Sequence, residues 1–223
     1  MPRAAVEPLV HRTVADLLEV IKPLGDIPAD RIRLHPTPGT ATEQDVLDVR
    51  RREGRTCELI DGILVEKVMG LGESRVALEL ITDLNNFLRR HNLGIAAGPD
   101  GTLRLTTGLL RIPDISFVSW DRLPGRKRPS QPVPRIPLDL AVEIISKGNT
   151  KSEMERKLRE YFEAGTRLVW FLYPKNRTAR VYTSPRQFTR LAEDQSLDGG
   201  DVLPGFSVSL RELFERAFRG PND

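Results

Sequence analysis

Two carboxylates stand inside apolar stretches of this 223-residue chain, where charged side chains are unusual. Asp114 lies within LLRIPDISFV, and Glu143 lies within LDLAVEIIS. Both stretches have the apolar pattern of strands near the centre of a sheet. A buried charge without a partner is unfavourable, so each carboxylate needs an ion pair, a backbone hydrogen-bond donor or a bound cation. Two oxygen ligands on neighbouring strands suit Mg²⁺ or Mn²⁺, and one such cation would compensate both charges.

A lysine would complete a site of this kind, and two candidates follow Glu143. Lys157 falls one to two turns into the helix expected over residues 150–164, from where it could point back over the strand end. There it would stabilise negative charge on a phosphate or on an attacking water. An ordinary solvated position on the charged face of this helix is the alternative for Lys157. Lys147 is the competing cation.

Glu58 is a candidate auxiliary ligand of the carboxylate pair. It lies in the segment CELIDGILVEKV, whose alternating apolar residues flank Asp61 and Gly62. An Asp-Gly pair in this setting predicts the tight turn of a β-hairpin. Glu58 therefore belongs to the first strand of that hairpin and could face the same side as the carboxylates.

A basic loop joins the two carboxylate strands. Its sequence is RLPGRKRPSQPVPR, and no acidic residue occurs between Asp121 and Asp139. Arg126, Lys127 and Arg128 are candidate contacts to a DNA phosphate backbone. A solvated, mobile connector is the alternative, because basic and proline-rich loops often have no partner.

The elements that must position these residues form a mixed α/β pattern. From residue 56 the apolar periodicity predicts the order β-β-α-β-β-β-α-β-β, with helices over residues 73–92 and 150–164. Upstream, one helix is predicted around residues 13–21 and another from a Thr40–Glu43 capping box to Gly54. The predicted fold class is thus mixed α/β, with helices packed on a sheet and a helical N-terminal extension.

The composition indicates a globular protein, but it does not identify a binding partner. Hydrophobic residues make up 39% and charged residues 29%, which is ordinary globular composition. Lys and Arg total 34 against 31 Asp and Glu, so attraction to an anionic polymer must come from local clusters. Cys57 is the single cysteine, which excludes an internal disulfide and a thiolate metal cluster. With no long apolar run or export signal, these features favour a cytoplasmic protein without a membrane partner.

The order of several sequence blocks resembles the Uma family of putative restriction endonucleases, within the PD-(D/E)XK nuclease superfamily. The blocks are CELIDGILVE, RIPDISFVSWDRL, LDLAVEIIS, KLREYFEAGTRLVWFLYP, RTARVYT and DVLPGFSVSLRELF. The resemblance covers residues 42–218, which leaves 1–41 as a helical extension and 219–223 as a tail. It implies a restriction-endonuclease-like core in which helices flank a central mixed sheet, with Mg²⁺ as cofactor.

The resemblance also implies roles for individual residues. It carries the two acidic metal ligands onto Asp114 and Glu143, and a family glutamate onto Glu58. The superfamily signature has a lysine where this chain has Ile145, and the recurrent helix lysine of the family matches Lys157 instead. We therefore expect Lys157 to perform the task of the displaced lysine.

Three functions are compatible with these residues. The leading hypothesis is a metal-dependent endonuclease that hydrolyses DNA phosphodiester bonds with an activated water, and pairing into a homodimer would let it cut both strands. The second is a nuclease-fold module that binds nucleic acid or protein and cleaves weakly. The third is a carboxylate-pair hydrolase of another class, such as a glycosidase. Lys157 beside the carboxylates favours the first, and Lys157 in solvent favours the second.

Overall fold

Both helices predicted after residue 56 are present, but five described strands rather than the predicted three lie between them. Residues 94–97 form a strand that was not predicted, and the stretch LLRIPDISFV forms two strands. The structure, a computed structural model, describes residues 19–20 and 22–220. Beyond residue 40 the α-helices are α1 (Glu43–Glu53), α2 (Leu71–His91), α3 (Lys151–Glu163) and α4 (Leu210–Phe218). The strands are β1 (Cys57–Ile60), β2 (Ile63–Glu66), β3 (Gly94–Ala97), β4 (Leu103–Thr106), β5 (Leu109–Arg111), β6 (Ile115–Ser119), β7 (Leu140–Ile144), β8 (Leu168–Tyr173), β9 (Thr178–Ser184), β10 (Gln187–Leu191), β11 (Ser196–Asp198) and β12 (Ser207–Ser209).

These strands form two main sheets and a two-stranded ribbon. The larger sheet has the order β10-β9-β8-β7-β6-β3, and the smaller sheet has the order β2-β1-β5-β4. In the larger sheet β7 and β8 are parallel, while the other neighbours are antiparallel. A parallel pair needs a crossover connection, and α3 supplies it between β7 and β8. The predicted mixed sheet with flanking helices is confirmed.

The two faces of the larger sheet have different coverings. Along β7 the side chains of Leu140, Val142 and Ile144 pack in one core with residues of α2 and α4. Because side chains alternate along a strand, Glu143 points to the opposite face. That face packs against α3 and the smaller sheet. The fold therefore directs Glu143 toward α3.

The smaller sheet lies between α1 and α3. Cys57 and Leu59 of β1 share a core with apolar residues of α1. Ile60 packs instead with residues of α3 and of the larger sheet. By the same alternation, Glu58 lies on the side that faces α3.

The stretch LLRIPDISFV is not one strand. It divides at residues 112–114 into β5 and β6, which belong to different sheets. Pro113 has no N–H to donate to a strand ladder, so pairing is interrupted there. Asp114 consequently stands at the junction between the two sheets rather than inside a strand.

The predicted start of α1 is wrong by two residues. The capping box is formed by Thr42 and Asp45, whose carboxylate accepts a hydrogen bond from the Thr42 N–H at 2.7 Å. Glu43 is instead the first helical residue, and it accepts a hydrogen bond from Arg104 at 2.6 Å. The predicted end at Gly54 is confirmed, because this glycine has the left-handed backbone of a helix C-cap.

Part of the segment before α1 packs against the rest of the chain. The helix predicted around residues 13–21 falls largely outside the described residues. Leu24, Ile27 and Ile32 are buried in the core that contains α3. Arg31 also forms an ion pair of 2.9 Å with the buried Glu153 of α3. No described helix has the length and apolar character needed to span a bilayer.

Candidate active site

Asp114 and Glu143 come together where β6 begins and β7 ends. β6 runs antiparallel to β7 with Ile115 opposite Val142, which brings Asp114 alongside the end of β7. The Ile144 N–H donates a 2.6 Å hydrogen bond to Asp114 Oδ2. Both carboxylates are 4% exposed and line one cavity of about 20 Å³. This space has room for about one water molecule.

Two side chains of α3 hold the carboxylate of Glu143. Lys157 Nζ lies 3.3 Å from Glu143 Oε2, and the Tyr161 hydroxyl donates a 2.5 Å hydrogen bond to Oε1. Residues four apart share one face of a helix, so Lys157 and Tyr161 reach the strand together. Lys157 is only 3% exposed and lines the cavity, which excludes the solvated position. Lys147, the competing cation, is exposed in the turn after β7.

Glu58 supports the lysine from the smaller sheet. Its Oε1 lies 3.2 Å from Lys157 Nζ and accepts a hydrogen bond from the Ile112 N–H at 3.1 Å. Its Oε2 forms an ion pair of 2.7 Å with Arg111. Glu58 does not line the cavity that Asp114 and Glu143 share. It therefore contacts Lys157 rather than the space between the carboxylates.

Lys67 is a site residue that the motifs did not identify. Its Nζ lies 2.8 Å from Asp114 Oδ1 and also donates a hydrogen bond to the Ile112 carbonyl. Lys67 follows β2, in which Ile63 and Val65 face the α3 side. Continuing that alternation by two residues would have placed Lys67 on the same side. Asp114 and Glu143 are thus each paired with one lysine, while Glu73 is a third carboxylate in the lining of this cavity.

A second set of buried charges connects α3 to the hairpin. Arg111 Nε donates to Glu160 Oε2 at 2.8 Å, and Arg156 Nε donates to Glu160 Oε1 at 2.8 Å. Arg156 also forms a 2.6 Å ion pair with Asp61 in the hairpin turn. These contacts fix α3 relative to β1, and hence the position of Lys157 relative to Glu143.

The charged partners determine the protonation of the buried groups. Burial alone would raise the pKa of the Glu58 carboxyl, but Lys157 and Arg111 hold that pKa well below its usual range. Burial would lower the pKa of the Lys157 ammonium, but Glu143 and Glu58 hold that pKa above its usual value. Burial raises the pKa of the Glu143 carboxyl; Lys157 opposes this and Asp114 adds to it. Lys157 is therefore a cation at neutral pH and not a proton acceptor.

Glu58→Gln is expected to lower the free energy of unfolding by about 3 kcal/mol at pH 7, because Lys157 and Arg111 lose a buried counter-ion. The pKa of the Glu58 carboxyl lies below the ordinary value of 4.5 in the folded protein. Its ionised form therefore contributes stability that is full above about pH 4.5 and is lost as pH falls toward the folded pKa.

Urea denaturation of parent and variant between pH 7 and pH 3 measures this effect. The difference between their free energies of unfolding should shrink below pH 4.5. The exposed Glu163 provides the control, since Glu163→Gln should change stability little. A Glu58→Gln difference that stays constant down to pH 3 would contradict the ion-pair assignment.

The donor set at the cavity fits a hard divalent cation. Mg²⁺ in proteins is typically bound by one or two carboxylates, with water and substrate phosphate oxygens completing its shell. Asp114 and Glu143 supply two carboxylates at one cavity. In the described ranges, no group of three or more His, Cys, Asp or Glu residues could hold a metal ion. The remaining ligands would therefore have to come from water and substrate.

The basic loop lies away from this cavity. Asp114 immediately precedes β6, whereas the loop follows the other end of that strand. Arg126 Nη2 forms an exposed ion pair of 2.7 Å with Asp121, and Arg128 lines a separate cleft beside the end of α2. Lys127 is exposed. The loop joins the two carboxylate strands as predicted, but at their far ends.

Fold and site together define a mixed α/β protein with a small cavity of paired acids and lysines beneath α3. The chain belongs to the Uma2 family, described as putative restriction endonucleases, whose sequence pattern matches residues 43–211. This confirms the resemblance seen in the sequence blocks.

A solved structure agrees with the fold. The chain is similar to a putative nuclease belonging to DUF820 from Anabaena variabilis ATCC 29413, with a TM-score of 0.64 and 20% identity. The match covers 73% of this chain and 91% of that one. At this identity the likeness shows a shared fold. No curated protein is significantly similar to the chain.

Proposed function

We propose that this protein is a metal-dependent endonuclease that hydrolyses phosphodiester bonds of DNA. The observation that carries the proposal is the convergence of Asp114, Glu143 and Lys157 on one cavity of about 20 Å³. These residues come from a strand junction, a strand and a helix. Burial of their charges is unfavourable unless the charges pair with one another or with a bound cation. Membership in a family described as putative restriction endonucleases supports the same class of reaction.

The roles of the residues follow from their positions. Asp114 and Glu143 would hold Mg²⁺ or Mn²⁺, which when bound polarises the phosphate and lowers the pKa of a bound water. Lys157, fixed between Glu143 and Glu58, would stabilise the negative charge that develops during attack on phosphorus. Lys67 adds a second cation at the cavity wall, so that an incoming phosphate would meet two ammonium groups.

The surroundings of Lys157 favour cleavage over the alternative of a binding module. A module that only binds has no need of a lysine buried against a carboxylate, and burial lowers the availability of Lys157 for surface contacts. The glycosidase alternative has less support, since no aromatic side chain among the described residues lines the cavity.

Incubation of supercoiled plasmid with the purified protein tests the proposed function. Nicked or linear product should form with Mg²⁺ or Mn²⁺ and should be absent with EDTA. Plasmid that stays supercoiled in both metals, while the protein retards it in a gel, would favour the binding module and contradict the endonuclease.

The basic loop is expected to increase the affinity for DNA through phosphate contacts away from the catalytic cavity. Replacing Arg126, Lys127 and Arg128 by alanine should reduce the slope of log affinity against log salt by about 2. The expected change is below that for three phosphate contacts, because Arg126 already pairs with Asp121. The measurement is a DNA-binding titration at several salt concentrations.

A matched control removes the same number of cations elsewhere. Arg50, Arg51 and Arg52 lie in the last turn of α1, and their alanine variant should keep the parent slope. Equal slopes for the two triple variants would show that the loop makes no phosphate contacts.

A further inference from the structure

A second, larger pocket lies beside the candidate active site. Its volume is about 420 Å³, and it is bounded by the first half of α3 and by β8, β9 and β10. Asn149 lines both this pocket and the cavity of Asp114 and Glu143. The volume is within the range of pockets that hold small organic groups, and it is far larger than the catalytic cavity.

The register of the larger sheet fixes the distance between the two sites. Glu143 of β7 is opposite Phe171 of β8, and Phe171 is opposite Arg180 of β9. Directly paired residues share a face, and neighbouring strands lie about 4.8 Å apart. Arg180 is therefore about 10 Å from Glu143 on the same face of the sheet, a span of about three stacked nucleotides at about 3.4 Å each.

Aromatic rings and a guanidinium form the outer wall of this pocket. Arg180 lies 5.3 Å from the ring centre of Tyr173 and 5.1 Å from that of Phe188. The rings of Tyr182 and Phe188 are 5.1 Å apart. Phe188 stands on the edge strand β10 and is 48% exposed. A partly exposed ring on an edge strand is accessible to a ligand, although Arg180 and Tyr182 already contact it.

The charge at the pocket favours an anionic chain. Arg180, Lys151 and Arg186 line it, and Glu155 is the single acidic residue among the described residues of the lining. Within the described part of the chain, Arg180 has no ion pair with a carboxylate, and its nearest polar contact is the Tyr182 hydroxyl at 3.5 Å. Aromatic faces combined with arginine are the usual means of holding single-stranded nucleic acid, because each base can stack and each phosphate can pair.

We propose that this pocket, whose assignment rests on the proposed nuclease function, binds an unpaired nucleobase of the DNA strand within about three nucleotides of the cleaved phosphate. The base stacks on Phe188 beside Arg180. A base within a duplex has both faces covered by its neighbours, so it reaches the ring only when the strand is single or the base is flipped. The enzyme accordingly prefers DNA with an unpaired segment next to the cleavage position.

Two substitutions at Phe188 separate ring stacking from simple apolar contact. Phe188→Leu keeps apolar bulk without a ring, and Phe188→Tyr keeps the ring. We expect Phe188→Leu to weaken binding of a fluorescein-labelled 20-nucleotide oligothymidylate about 5- to 150-fold, which corresponds to the stacking of one base. Phe188→Tyr should bind like the parent. Binding of the matching oligothymidylate–oligoadenylate duplex should not change in either variant.

The titrations are made by fluorescence anisotropy in EDTA, which prevents cleavage. Phe218 is also 48% exposed but lies outside this pocket, so Phe218→Leu is the matched control and should bind the single strand like the parent. Equal affinity of Phe188→Leu and the parent for the single strand would overturn the proposal, as would equal losses in Phe188→Leu and Phe188→Tyr.

Plasmid cleavage by the same protein preparations distinguishes the two proposals. If the parent cleaves DNA and Phe188→Leu binds the single strand normally, the base pocket is wrong and the nuclease function stands. If the parent neither cleaves nor binds any DNA, the nuclease function is wrong, and the base pocket is wrong with it.

Discussion

Replacing Glu143 with glutamine is expected to lower the rate of DNA cleavage about 10²- to 10³-fold, since a neutral amide binds a divalent cation poorly and the metal-based stabilisation of the transition state is lost. The protein should remain folded. Glutamine retains an oxygen that can accept the hydrogen bond from Tyr161, and Lys157 keeps Glu58 as a counter-ion. Lys157 loses one of its two buried counter-ions, so denaturation curves should establish that the variant is folded at the assay temperature.

Single-turnover cleavage of a labelled duplex at saturating protein measures this effect without a contribution from product release. Glu163→Gln removes one carboxylate from the exposed end of α3 and should cleave at the parent rate. Parent-like cleavage by Glu143→Gln would exclude Glu143 from the chemistry.

The second large effect is expected for Lys157→Met, which removes the ammonium and keeps the length of the side chain. Cleavage should fall about 10²- to 10³-fold, because the interaction with the developing charge strengthens mainly in the transition state. The free energy of unfolding should also fall by about 3–5 kcal/mol, since Glu58 and Glu143 lose a shared buried partner. Rates and DNA affinity should therefore be compared at a temperature where denaturation curves show the variant folded.

Two further lysine variants test this assignment. Lys157→Arg should restore cleavage only in part, because a planar guanidinium cannot occupy the position of a compact ammonium. Lys147→Met should cleave normally, since Lys147 is exposed after β7. Loss of cleavage in Lys147→Met together with normal cleavage in Lys157→Met would show that Lys147, and not Lys157, is the catalytic cation.

Features encoded by short sequence patterns were predictable. The Asp-Gly pair gives the hairpin turn, and Asp61 and Gly62 both have the positive φ angles that such a turn requires. Asp114 and Glu143 could be paired because each is a charge within an apolar stretch. Lys157 could be identified because the family resemblance pointed to it, and its helical position was consistent with that role.

Features that depend on distant parts of the chain were not predictable. Pro113 indicates a bend or a sheet edge within residues 109–118, but nothing in their apolar pattern reveals that the two halves join different sheets. The contacts of Arg111 with Glu58 and Glu160 join residues about fifty positions apart. In the sequence Arg111 and Glu160 resemble surface charges, since only the packing of α3 against the smaller sheet buries them. The remote position of the basic loop likewise follows from the strand directions, which composition does not specify.

Isothermal titration calorimetry of Mn²⁺ binding tests most directly whether Asp114 and Glu143 form one cation site. Asp114→Asn keeps an acceptor for the Ile144 N–H but removes the charge, and Asp121→Asn at an exposed position is the control. We predict one Mn²⁺ site in the parent and in Asp121→Asn, and loss of that site in both Asp114→Asn and Glu143→Gln. Unchanged Mn²⁺ binding in Asp114→Asn and Glu143→Gln would contradict the account.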